Sequence, residues 1–462
     1  MLKKNDLLTL NITDLTNLGF GVAKVDGLVV FISGAVTGDT VKAKVIKITS
    51  SYAVARLEEM ITPSPARCKG RCDNSACKSC AYKEIGYDEE LRLKKNTVKS
   101  AFMHEGLADI KINDVVGSPD LTGYRNKAQY PIARLKDGKY AIGFYAPKSH
   151  RVTEARDCVL APKVFAEINN ALAGFFADFD LSVYDEESGK GLLRHVYLRR
   201  GEVSSEILLT LVINGTALPH SDELVKRITA AFPEVVGILL NVNEKNTNVI
   251  LGERFITLYG RDYIYDVLSG VRLKLTAPSF YQVNHNSAEL LYAKARELAR
   301  LEKDDTLLDL YCGAGSIGLS MSKDCGELIG IEIVDSAVVC ARENARDNGT
   351  ENAHFFTGDA ANTERLLDNA EASLGKKILP DVIVLDPPRA GCDKRLIEYV
   401  SSLSPKRVVY VSCNPATLAR DVKIFGELGY ECSEVTPFDL FPSTGHVESV
   451  VCLTRHNELP MA

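Results

Sequence analysis

Apolar and polar residues change rhythm twice along this chain. Up to about Met60, short alternating runs are broken by glycine turns, at residues 7–12, 19–24, 28–32, 40–47 and 52–57. A period of two predicts strands, and five of them packed so tightly predict a small closed β-barrel. In the fourth run lysines alternate with valines, giving that strand one cationic face. A proline-bearing link at 62–65 and a helical stretch at 88–104 follow. Strands are then expected at 124–132, 140–145, 149–154, 196–200 and 205–213, with helices at 162–179 and 222–232. That mixture reads as an α+β domain. From about Val271 apolar strands alternate with amphipathic helices, the mark of a doubly wound parallel sheet in an α/β domain. The division expected is therefore 1–61, 62–270 and 271–462, with part of 90–123 packing on the last unit.

Strand ends carry the candidate chemistry. The strand at 306–311 runs into Cys312-Gly313-Ala314-Gly315-Ser316-Ile317-Gly318, where missing Cβ atoms let a ligand approach the backbone and the start of a helix. The next strand ends in Glu332, suited to the hydroxyls of a ribose, and the one after it in Asp359. A fourth runs into Asp386-Pro387-Pro388-Arg389. A fifth, 408–412, delivers Cys413-Asn414-Pro415, and Pro415 forces a turn where the thiol sits. The glycine spacing also fits a dinucleotide fingerprint, so a nicotinamide enzyme competes. The Asp-Pro-Pro turn and the cysteine strand point instead to an S-adenosylmethionine enzyme acting on a nucleic-acid base.

Composition narrows the class. No apolar run reaches the roughly 20 residues a membrane helix needs, and the first residues lack the apolar core of a signal peptide, so a cytoplasmic protein is expected. Twelve cysteines in that setting call for metal ligation or catalysis rather than a disulfide framework. Four of them, Cys68, Cys72, Cys77 and Cys80, crowd together; Cys158 could join three of them, leaving Cys68 or Cys72 spare. Zinc and an iron–sulfur cluster both accept such thiolates. The net charge of -6 argues against a generic nucleic-acid coat. Between Arg67 and Lys99, however, bases outnumber acids, and this strip reads as a place to grip a phosphate backbone. Aromatic and basic residues interleave in the first strands of the middle unit, a pattern that suits base stacking.

The motifs Ser279-Phe280-Tyr281-Gln282-Val283-Asn284, Asp309-Leu310-Tyr311-Cys312-Gly313-Ala314-Gly315, Asp386-Pro387-Pro388-Arg389-Ala390-Gly391, Ser412-Cys413-Asn414-Pro415 and His446-Val447-Glu448-Ser449-Val450 stand in one order. That order resembles the RNA 5-methyluridine methyltransferases, and the whole chain resembles their 23S ribosomal RNA branch. The resemblance implies a Rossmann-like S-adenosylmethionine-dependent methyltransferase domain behind a TRAM-like (OB-like) barrel and a central α+β domain, with a [4Fe-4S] cluster on the clustered cysteines. It further implies Cys413 as nucleophile, Glu448 as base, and Gln282, Tyr311, Glu332 and Asp386 around the donor. Glu448 is expected exposed at the start of the last strand. The chemistry agrees, because uracil C5 becomes nucleophilic only after a thiolate adds to C6, and a base must then remove the C5 proton. The target base must leave its stack to reach the thiol.

The partner implied is 23S ribosomal RNA, with no membrane and no obligate protein partner. The alternative is the transfer RNA T-loop, disfavoured because the barrel and cysteine cluster are expected to be missing from simpler transfer-RNA enzymes. Two other classes remain: an NAD-dependent iron–sulfur oxidoreductase, and an RNA-binding module with an inactive transferase domain. The latter fits poorly with both Cys413 and Glu448 present.

Overall fold

The computed structural model describes residues 2–456 apart from 73, 75, 76, 147, 148, 156, 157 and 361. Its amino-terminal sheet has six strands among these residues. Their spatial order is Leu7–Asn11, Thr40–Ile48, Tyr52–Thr62, Leu28–Ser33, Phe20–Val25 and Asp14–Leu15. The two edge strands are neighbours in sequence, so the sheet must curl, yet no ladder joins them and the expected closed barrel is an open one. The corner residues explain this. Ile12 exchanges hydrogen bonds with Asp39 and Gly38, and the Thr13 amide goes to Val22, so these corner groups are committed to other partners. Alternation on Thr40–Ile48 holds: Val41, Ala43 and Val45 are buried while Lys42 and Lys44 face outward.

The central unit is built on a seven-stranded sheet ordered Val152–Glu154, Tyr140–Tyr145, Lys127–Arg134, Leu193–Arg200, Ile207–Ile213, Val235–Val242 and Arg254–Gly260. The helices Lys163–Asp178 and Ser221–Ala231 cover it through Phe165, Leu172, Phe176, Leu224 and Ile228. Its third strand begins later than the apolar pattern suggests, because the Arg125 and Asn126 amides are taken by the carbonyls of Leu160 and Val283. A hairpin of Tyr263–Leu268 and Val271–Thr276 leads onward.

The last sheet runs Ala353–Thr357, Glu327–Glu332, Thr306–Leu310, Val382–Leu385, Arg407–Ser412, Glu448–Arg455, Glu434–Phe438 and Lys111–Ile112, with Tyr430–Glu431 also pairing to Glu448–Arg455. The first five strands are parallel, and Glu448–Arg455 is antiparallel to both its neighbours. Helices cover both faces. Leu307, Val409 and Val411 enter one core while Leu308, Val408 and Tyr410 enter the other. Strands buried on both sides read as continuous apolar runs, which is why they were visible in the sequence.

Along the helix Tyr87–His104 and the link before it, several bases of the strip read as gripping phosphate are instead used inside the protein. Lys94 is fully buried, with its Nζ 2.8 Å from Glu90 Oε1, 2.6 Å from Asp439 Oδ1 and 3.1 Å from the Phe441 carbonyl. Arg67 is spent on Asp39 and Glu84, Arg92 on Glu89, Lys95 on Asp114 and Arg71 on Ser443 and Glu90. Arg67, Arg71 and Lys94 are internal ties, whereas the Arg92 and Lys95 pairs lie at the surface. Glu90 also accepts the Ser443 amide at 2.7 Å, and Tyr87 donates to Asp439 at 2.9 Å. A Cβ on Gly445 would overlap the Asn17 carbonyl oxygen at 2.1 Å. The loop leading into the last-formed antiparallel strand is thus clamped from the amino-terminal half of the chain.

Candidate functional site

Three adjacent strands bring their ends to one rim. Leu385 lies opposite Tyr410, so Asp386 and the end of Arg407–Ser412 are neighbours. Ser412 lies opposite Ser449, so the next position on one strand, Cys413, faces the preceding one on the other, Glu448. Asn414 makes the turn rigid: its side chain caps the helix Pro415–Glu427 through the Ala416 amide at 3.1 Å and donates to the Arg389 carbonyl at 3.0 Å. Pro415 takes the first helical position, where its missing N–H costs nothing. The Asp-Pro-Pro-Arg turn and the cysteine turn are thereby one unit.

The electrostatics of this rim are unusual. Glu448 is buried rather than exposed as the sequence suggested, because its strand lies inside the sheet, between Arg407–Ser412 and Glu434–Phe438, with Phe438 paired beside it. Burial, with Asp386 nearby, pushes its carboxyl up to about 8, against the pull of Arg389. Asp386 is pushed to about 7 by burial. The Cys413 thiol, half-buried, is also raised, first by burial and then by Glu448, while Arg389 lowers it.

The glycine turn sits two strands away. Asp309 is fully buried inside an apolar strand and accepts the Gly318 amide at 2.9 Å, while its other oxygen has no partner. A Cβ on Gly318 would meet that carboxylate at 2.7 Å, so only glycine fits. Burial, Asp386 and Glu332 push Asp309 up to about 8. Glu332 is fixed by the amides of Gly313 at 3.1 Å and Val334 at 2.9 Å. Gln282 is buried, and its carbonyl holds Asn126 at 2.8 Å. Tyr311 follows its strand with a φ of 64°, packs against the core on one face of the sheet and lies beside Cys392. Four carboxylates, Asp309, Glu332, Asp386 and Glu448, therefore stand close enough at these strand ends to feel one another, with Arg389 beside Glu448. Such a grouping favours a ligand carrying positive charge.

A second group of thiols converges elsewhere. Cys72, Cys77, Cys80 and Cys158 line one pocket, together with Arg125, Phe144 and Leu160. Burial, reinforced by the other three thiols, pushes Cys80 up to about 12. Cys68 does not line the pocket; it is exposed, its sulfur 3.9 Å from the Lys83 carbonyl. Among the described residues no three His, Cys, Asp or Glu side chains stand close enough together to hold a single metal ion. Residues 73, 75, 76, 156 and 157, which adjoin these cysteines, lie outside the described residues.

Asp309 and the Lys94–Asp439 tie were not singled out from sequence. Each had a signal, an acid inside an otherwise apolar run, Leu307-Leu308-Asp309-Leu310 and Phe438-Asp439-Leu440-Phe441.

Residues 86–456 match the family described as tRNA (Uracil-5-)-methyltransferase, and residues 3–57 match the TRAM domain. An uncharacterized RNA methyltransferase of Clostridium tetani is 38% identical over 457 residues, covering 99% of this chain and 98% of the relative. Another, from Halalkalibacterium halodurans, is 40% identical over 456 residues, covering 98% of each. Among solved structures, the Pyrococcus abyssi tRNA (uracil-54, C5)-methyltransferase in complex with S-adenosyl-L-homocysteine superposes with a TM-score of 0.78 at 27% identity. It covers 97% of this chain and 100% of its own.

Proposed function

The chain belongs to the tRNA (uracil-5-)-methyltransferase family and is an S-adenosylmethionine-dependent RNA (uracil-5-)-methyltransferase; from that premise we propose that it makes 5-methyluridine in 23S ribosomal RNA through a covalent Cys413 adduct. The observation that carries this reading is the cross-strand juxtaposition of Cys413 and Glu448 beside Asp386. S-adenosylmethionine supplies a methyl group on a cationic sulfonium. Gln282, Tyr311, Glu332 and Asp386 hold it, and the crowded carboxylates favour its positive charge. The Cys413 thiolate adds to C6 of a flipped uracil, forming the S–C6 bond and leaving C5 as an enolate carbon; C5 would then take the methyl as the donor's S–CH3 bond breaks and neutral S-adenosyl-L-homocysteine leaves. Glu448 then takes the C5 proton, the C6–S bond breaks, and the thiolate departs. Arg389 lowers both the Cys413 and Glu448 pKa values, easing the ionisation that each role needs.

The clustered thiols support a [4Fe-4S] site on Cys72, Cys77, Cys80 and Cys158, with Cys68 the spare. Four thiols around one pocket, no three of them gathered tightly enough for a single ion, suit a four-iron cage better than zinc. Such a cluster would tie the cysteine-rich link to the central sheet, where Asn74 also donates to the Glu154 carbonyl at 3.0 Å.

A second reading, methylation of the transfer RNA T-loop, is favoured by one observation. The archaeal transfer-RNA enzyme matches 97% of this chain, amino-terminal unit included, so the presence of that unit does not by itself select ribosomal RNA. Labelled donor incubated with unmodified 23S ribosomal RNA and transfer RNA transcripts separates them. Labelled 5-methyluridine is expected in the ribosomal transcript. Label in transfer RNA alone moves the assignment to the T-loop, and label in neither overturns it.

A further inference from the structure

The end of the central sheet away from the catalytic cleft carries a groove that the reaction chemistry leaves unused. In a regular strand Arg194 and His195 would point to opposite faces. The pairing of Leu193–Arg200 with Ile207–Ile213 shifts between Leu193 and His195, and both side chains line the same groove, about 720 Å³ in volume. Bulges re-aim side chains in this way. Arg194 and His195 are only 6% and 8% exposed. Arg194 Nη1 donates to the carbonyls of Asn243 at 2.7 Å and Lys245 at 2.9 Å, and its guanidinium lies 4.2 Å from the Tyr184 ring centre. Its Nε, however, has no partner, and neither does Nδ1 of His195. Burial, then Arg194, lowers the His195 pKa to about 4, so the ring is neutral. Buried polar atoms without partners are costly, and a ligand that reaches them recovers that cost.

The rim says what kind of ligand. Asp185, Glu186 and Glu187 border the groove, and the cations beside it are engaged: Arg134 with Asp180, His150 with Glu186. Acids on the rim keep phosphate out of the groove, so only a planar, uncharged group would enter, its backbone staying outside the rim, and an aromatic ring against a guanidinium is a stacking surface for such a group. The strand that lines the groove also runs to the segment carrying Gln282. His195 pairs with Pro131 and Arg199 with Lys127, four residues on, or roughly 13 Å along the strand. Arg199 donates to the Ser279 carbonyl, which opens the segment carrying Gln282.

We propose that this groove takes an unstacked base of the substrate RNA, a nucleotide other than the methylated uridine, packed on the Tyr184–Arg194 pair and read through Arg194 Nε and His195 Nδ1. The inference rests on the RNA-methyltransferase reading above. It adds a specificity subsite at a distance from the chemistry.

The test measures binding of unmodified 23S ribosomal RNA and transfer RNA transcripts to the full chain, using whichever transcript the wild-type protein methylates. Tyr184→Ala is expected to weaken RNA binding about tenfold, by loss of one base stack. His195→Phe, which keeps the ring and removes its nitrogens, is expected to weaken it about fivefold. S-adenosylmethionine affinity should stay at the wild-type value in both. Ultraviolet crosslinking of the wild-type complex, read by peptide mass spectrometry, should put a nucleotide on the peptide carrying Tyr184. RNA affinities within twofold of wild type in both variants, or crosslinks confined to other peptides, would overturn the proposal. Failure of the underlying reading looks different: the wild-type protein would then transfer labelled methyl to neither transcript.

Discussion

The thiols of this chain are deployed in two opposite ways. Cys413 stands alone at the rim of a parallel sheet, facing one carboxylate across an antiparallel pair, with Arg389 close by. Cys72, Cys77, Cys80 and Cys158 stand together, and burial with the neighbouring thiols raises Cys80 and Cys158. A nucleophile needs a neighbour that can hold a proton and open access to substrate. A set of ligands needs other thiols and a cationic centre to relieve their repulsion. On the proposed reading, isolation and crowding give the same side chain different work, and each assignment can be broken separately.

The largest effect expected is at the solitary thiol. Cys413→Ala should reduce methyl transfer by at least about a thousandfold, with S-adenosylmethionine binding near normal, as measured by labelled-methyl incorporation and calorimetry. Appreciable activity in that variant would end the comparison. At the crowded site, Cys158→Ser should lose most of the iron of anaerobically purified protein, whereas Cys68→Ser should keep it; iron and sulfide analysis decides. Equal loss in both would mean that the pocket has been read wrongly.

The clamp behind Glu448 comes next. Lys94→Ala leaves Glu90 and Asp439 buried without their cation and should cost about 3–5 kcal/mol of stability in denaturant unfolding. A change below about 1 kcal/mol would return Lys94 to the exposed strip first expected of it. The smallest effect is a pH dependence. In the proposed mechanism Glu448 can act as a base only when ionised, and a pKa of about 8 leaves its carboxyl mostly protonated at neutrality in the ligand-free protein. Single-turnover rates should rise roughly tenfold from pH 7 to pH 9, helped in the same direction by the raised Cys413 thiol. For stability the sign reverses. A carboxyl held above its ordinary value of 4.5 contributes stability that is complete below that value and lost as pH rises through about 8, so Glu448→Gln should flatten the fall in melting temperature over that window.

What the sequence revealed follows from how local each feature is. The strand-then-turn stretches ending in Gly313, Asp386 and Cys413 announce themselves, because a strand covered on both faces is an unbroken apolar run and its end is punctuated by glycine or proline. The choice between Cys68 and Cys72 was not legible. It depends on where a strand some 80 residues later, Val152–Glu154, brings Cys158. The burial of Glu448 and Lys94 was hidden for the same reason: charged residues read as surface until a distant partner is known, and here Asp439 lies 345 positions from Lys94. The open corner at Ile12 and Thr13 turned on hydrogen bonds to Asp39, Gly38 and Val22 that no alternation pattern reports.

The most direct measurement is mass spectrometry of Glu448→Gln protein incubated with substrate RNA and S-adenosylmethionine, then digested. With the proton acceptor removed, the methylated nucleotide should stay attached, and the peptide carrying Cys413 should bear a 5-methylated uridine linked through sulfur. No adduct, or an adduct on any other thiol of the chain, would contradict the account.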